Sequence, residues 1–174
     1  ITKKRTLPYA RDISDLRKGL SISGYAAPTT TFRVLKYLEQ KSGALIKTFA
    51  PGEEEIHARS DDLDIVLLPE PFASEWIEHE QGYSRVLDGP RLLHSLSWSG
   101  LYAREDYIHA NRDVVLRVVR AIHRAVVLIN SDPIRAQQLA TRCFTDFDQT
   151  AVCTATLRMI KQQVFPTTLA TKRK

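Results

Sequence analysis

Three consecutive hydroxyl side chains, Thr29-Thr30-Thr31, follow Gly24-Tyr25-Ala26-Ala27-Pro28 and stand between a strand-like run and a helical one. Such a junction offers free backbone N–H groups, hydroxyl donors and the positive end of a helix dipole. Together these suit an anion or a polar head group, although a plain N-cap needs only one of the three hydroxyls. Glu70-Pro71 is the second pattern, a carboxylate directly after the apolar run Asp64-Ile65-Val66-Leu67-Leu68. It starts a helix, with Pro71 at the first helical position. It also stands at the carboxyl edge of a sheet, where open α/β folds form their ligand crevices. Other reactive residue types are scattered. His57, His79, His94, His109 and His123 form neither HxxxH nor HxH. Glu78-His79-Glu80 places two acids beside an imidazole, but neighbouring helix positions point apart. Residues 51–80 hold ten acids against Arg59 alone, a density that reads as exposed helix faces and caps. Ser97 and Ser99 flank Trp98 outside any GxSxG elbow, and neither a P-loop nor GxGxxG is present. No metal site, cofactor or catalytic residue is expected, and the chain reads as a non-enzyme.

The elements that must position these residues alternate. Leu20 to Gly24 alternates like a strand. The threonines open a helix with Phe32, Leu35 and Leu38 on one face and Gly43 near its end. Leu45 to Phe49 is a second strand. Pro51-Gly52 turns, and Glu53-Glu54-Glu55 opens a short helix with acids where the dipole favours them. Asp64 to Leu68 is an unbroken apolar strand, Glu70-Pro71 starts another helix, and Tyr83 to Leu87 is a further strand. This β-α-β-α-β-α-β order predicts an α/β fold: a parallel or mixed sheet with helices on both faces. After Gly89-Pro90 the texture changes. Ser97 to Ala103 is strand-like. Arg112 to Asn130 is a long helix whose Val115, Val118, Val119, Ile122, Val126 and Ile129 make a core stripe, with Arg117, Arg120 and Arg124 on another face. Asp132-Pro133 starts a helix through Ala140, and Asp146 or Asp148 caps a last one through Ile160.

The organisation that follows is a basic segment at 1–18, an α/β lobe at 19–96, a return strand with C-terminal helices at 97–165, and a basic tail at 166–174. The 174 residues carry 25 Lys+Arg against 20 Asp+Glu, enough chain to bury a core without staples. The positive balance lies in the ends: residues 1–18 have a net charge of +4, the last three residues +3, and residues 19–171 only −2. A basic stripe on the folded surface is therefore not expected, nor is a nucleic-acid interface. No apolar run approaches the ~20 residues of a membrane span. The chain starts at Ile1 and its one methionine is Met159, which reads as a processed or trimmed product. Cys143 and Cys153 lack zinc-ligand spacing; they either close a small loop or remain two buried thiols.

Four stretches, in order, carry a family resemblance. They are Asp15-Leu16-Arg17-Lys18-Gly19 running through the strand to Thr29-Thr30-Thr31; Asp62-Leu63-Asp64-Ile65-Val66-Leu67-Leu68-Pro69-Glu70-Pro71-Phe72-Ala73; Trp98-Ser99-Gly100-Leu101-Tyr102-Ala103-Arg104-Glu105-Asp106-Tyr107-Ile108; and Asn111-Arg112-Asp113-Val114-Val115 through Asn130-Ser131-Asp132-Pro133-Ile134-Arg135-Ala136. From about Leu16 to Phe165 the chain resembles the later part of a periplasmic solute-binding protein of an ABC importer, of the nitrate/sulfonate/taurine and thiamine-precursor type. The resemblance implies a type 2 periplasmic-binding fold, capture of a small polar or anionic solute without chemistry or cofactor, an ABC permease as partner, and a periplasmic or extracytoplasmic location. The candidate ligand-binding residues are Thr29, Thr30, Thr31, Glu70 and Trp98. Family members are two-lobed and longer, and their opening strands precede this region. The first lobe is thus incomplete here, and self-association or a missing N-terminal segment is expected to complete it. The same fold also serves enzymes of thiamine-pyrimidine and menaquinone biosynthesis and the effector domains of LysR-type regulators.

Overall fold

In a computed structural model the chain divides into two compact units, Ile1–Trp98 and Ser99–Lys174. The structure describes residues 1–2, 7–80, 82–93 and 100–165.

The first unit is α/β. Strands β1 (Ser21–Tyr25), β2 (Leu45–Phe49) and β3 (Ile65–Val66) form a parallel sheet in the order β2-β1-β3. The register pairs Ser21 with Leu45 and Tyr25 with Phe49 on one side, and Ile22 with Ile65 and Ser23 with Val66 on the other. Central β1 is buried from Ile22 to Tyr25, whereas edge strand β2 leaves Leu45 64% exposed. Because successive strand side chains point to opposite faces, Ile22 and Ile65 enter one core with Val34, Leu35 and Leu38, while Tyr25 and Val66 enter a second with Phe49, Ala58 and Ala73. Helices therefore cover both faces, as the alternating pattern predicted.

Helix α1 (Thr30–Ser42) starts where Thr29, in extended conformation, accepts a hydrogen bond from the Phe32 N–H, and it ends at Gly43 in the left-handed region at φ 69°. That conformation is open to glycine at little cost. Its buried face is Val34, Leu35 and Leu38; Phe32, expected on that face, is only half-buried. Helix α2 (Glu54–Arg59) carries Glu54 and Glu55 in its first turn. Helix α3 (Phe72–His79) starts one residue later than expected, with Pro71 as its N-cap. A single turn, α4, spans Gly89–Leu92.

Two strands differ from expectation. β3 is only two residues long. The Leu67 N–H still donates to the Ser23 carbonyl at 2.7 Å, but Leu68 precedes Pro69, which has no N–H to continue a ladder. At its other end Asp64 Oδ2 accepts from the Ser21 N–H at 2.8 Å and the Ser21 hydroxyl at 2.9 Å, so a side chain takes part in the pairing. Tyr83 to Leu87 forms no strand. Ser84 makes one antiparallel bridge with Thr2, and the Val86 carbonyl accepts from the Ala10 N–H at 2.6 Å. Val86 and Leu87 are buried as a strand's would be. Among the described residues the contacts of Ser84 with Thr2 and of Val86 with Ala10 are isolated ones, and 83–87 is not a strand.

The second unit is helical among its described residues: α5 (Glu105–Ala110), α6 (Arg112–Ser131), α7 (Pro133–Cys143) and α8 (Gln149–Lys161). Residues 100–103 are irregular rather than the expected strand, and 97–99 lie outside the described residues. Asp132 caps α7 and Asp148 caps α8 by accepting from the N–H groups of Arg135 and Ala151, each at 2.9 Å. Ala136, Ala151, Val152 and Ala155 are buried, mostly small side chains that let helices approach closely. The apolar stripe of α6 is not a core: no residue of that helix is buried, and Val118 and Val119 are 44% and 43% exposed. A periodic stripe marks a face able to pack; burial also needs a neighbour along its full length. Cys143 and Cys153 are free thiols, the first exposed and the second half-buried. The Gln137 amide donates to the Cys153 carbonyl at 3.2 Å, a contact between α7 and α8. No helix among the described residues is long and apolar enough to cross a membrane.

Candidate functional site

The order β2-β1-β3 sends the chain from β1 to one neighbour through α1, while β3 lies on the other side. The loops that leave β1 and β3 therefore part at the carboxyl edge of the sheet, the place where open parallel sheets form crevices. Gly24 holds this edge tight. A Cβ at Gly24 would lie 3.0 Å from Thr31 Cγ2, 3.1 Å from Leu35 Cδ1 and 3.3 Å from the Leu67 carbonyl oxygen. The first turn of α1 and the end of β3 thus meet over one glycine.

The three threonines divide their labour. Thr29 is consumed locally: its Oγ1 accepts from the Phe32 N–H at 3.1 Å and donates to the Ala26 carbonyl at 2.9 Å. Thr30 and Thr31 lie half-buried in the first turn of α1, and Thr31 turns its methyl group toward Gly24.

Glu70 lies three residues beyond Leu67, and both its oxygens are engaged. Oε1 pairs with Arg85 Nη2 at 2.8 Å, with the two side chains only 17% (Arg85) and 15% (Glu70) exposed. Oε2 accepts from the Ser74 N–H at 3.1 Å, in the first turn of α3. Arg85 Nη2 also donates to the Ser74 hydroxyl at 2.7 Å, and Ser74 itself is buried. The carboxylate thus caps α3 and pins a cation against it. Sequence reasoning missed Arg85; its one local signal is a charge inside the apolar run Tyr83-Ser84-Arg85-Val86-Leu87.

A second pair lies where β1 ends. The Tyr25 hydroxyl donates to Glu54 Oε1 at 2.6 Å. Burial pushes the Tyr25 phenol well above the ordinary tyrosine value, and Glu54 adds to the shift. Burial also raises the Glu54 carboxyl, but the Tyr25 hydroxyl and backbone N–H groups outweigh it and leave the carboxyl below its usual value. Phe49 packs between Tyr25 at 4.9 Å and His57 at 4.6 Å, centroid to centroid.

Trp98 lies outside the described residues. Of the Glu78-His79-Glu80 triplet, Glu80 pairs with Arg59 at 2.6 Å, and no group of metal-ligating side chains occurs among the described residues. Two polar arrangements thus follow the strands of the sheet: the capped N-terminal turn of α1 after β1, and a fixed carboxylate–guanidinium pair at the start of α3 after β3. No family model, no curated protein and no solved structure matches this chain.

Proposed function

We propose that the chain binds a small polar or anionic solute at the carboxyl edge of its sheet, as the substrate-binding component of an ABC importer of the nitrate/sulfonate/thiamine-precursor type. The observation that carries the reading is the convergence at Gly24, where the first turn of α1 and the end of β3 meet at the point where the sheet's connections diverge. The resemblance in sequence supplies the finer assignment: a type 2 periplasmic-binding fold, a permease as partner and an extracytoplasmic setting. The α1 N-terminus favours negative charge by roughly 0.3–1 kcal/mol when exposed, and Thr30 and Thr31 add hydroxyl donors. Glu70 acts through Arg85 and Ser74, fixing the turn between β3 and α3.

A thermal-shift screen of sulfonates, nitrate, amino acids and pyrimidines tests the reading. A true solute at ~100 times its dissociation constant stabilises by about 2.7 kcal/mol. Replacing Thr30 and Thr31 together by Val keeps their shape and removes the hydroxyls. Solute binding is then lost, with a stability change below about 1.5 kcal/mol. Absence of a stabilising solute across the screen, or full affinity in the double variant by calorimetry, overturns the proposal.

A further inference from the structure

We draw no further inference here: the strongest candidate, the surface patch of Leu116, Val119 and Val127 on the exposed side of α6, carries none because nothing in the structure shows what covers it.

Discussion

Glu70→Gln, read together with Arg85→Gln, measures how the β3–α3 turn is held. In Glu70→Gln the shape stays and the charge goes. One side-chain oxygen remains to accept, where the carboxylate now accepts from both Arg85 Nη2 at 2.8 Å and the Ser74 N–H at 3.1 Å. Exposed pairs are worth about 0–1 kcal/mol, and breaking a fully buried one costs about 3–5 kcal/mol. With the side chains 17% and 15% exposed, the pair belongs between these limits, so each single change should cost about 1–3 kcal/mol. If the first unit unfolds as one transition, each kcal/mol corresponds to about 4–8 °C for a unit of roughly this size. The double variant discards both partners together. Its cost should fall short of the summed single costs by about 1 kcal/mol or more, the scale of coupling between residues in direct contact. Urea unfolding followed by the fluorescence of the two tryptophans, Trp76 and Trp98, gives the four free energies. Costs that add to within about 0.3 kcal/mol would mean that Glu70 and Arg85 do not act as a pair, and would remove the account of this turn.

Three further variants probe the same lobe. Gly24→Ala sets a methyl group 3.0 Å from Thr31 Cγ2 and 3.3 Å from the Leu67 carbonyl, and should destabilise by about 1–3 kcal/mol, the usual cost of overpacking; a neutral effect in urea unfolding would show that the edge is loose. Ser23 is fully buried, and its hydroxyl has no partner among the described residues. Ser23→Ala should therefore leave stability unchanged or raise it by up to about 1–2 kcal/mol, and a clear loss in calorimetric melting would contradict this. Tyr25→Phe removes the donor that holds the Glu54 carboxyl low. A lowered folded-state value stabilises at pH above the ordinary Glu range and is lost as pH falls through the folded value. The variant should thus be less stable at neutral pH and show a shallower loss on acidification; parallel stability–pH curves for the two proteins would refute the linkage.

Elements closed by local chemistry were legible in the sequence. β2 occupies Leu45–Phe49 as read, and α1 runs between the Thr29 cap and left-handed Gly43. α7 begins at Pro133 behind the Asp132 cap, and Asp148 proves to be the cap of α8. The helix starts are decided by a side chain within three residues of the N–H it accepts from, and the end of α1 by the left-handed backbone of a glycine. Features that depend on a distant partner were not legible. Tyr83 to Leu87 has a strand's composition, and Val86 and Leu87 have a strand's burial, yet a ladder also needs a paired segment from elsewhere in the chain; among the described residues Thr2 and Ala10 supply isolated contacts. The α6 stripe has a core's periodicity without a core's burial, for the same reason.

The candidate edge divides along the same line. That Thr29 opens a helix is local, and so is the place of Glu70 before one. That Glu70 has both oxygens engaged depends on Arg85, fifteen positions away, and Tyr25 meets Glu54 across twenty-nine positions. In a parallel sheet the carboxyl edge is assembled from the ends of strands separated by whole crossovers, so its charges are paired by topology rather than by spacing. The consequence for the threonines is physical. The Thr29 hydroxyl is consumed by the cap, and the methyl of Thr31 is turned toward Gly24. Under the proposed function, solute preference at this edge would rest on the Thr30 and Thr31 residues of the first α1 turn, since the Thr29 hydroxyl is committed to the Phe32 N–H and the Ala26 carbonyl. The Glu70 carboxylate, with both oxygens engaged by Arg85 and the Ser74 N–H, instead fixes the start of α3.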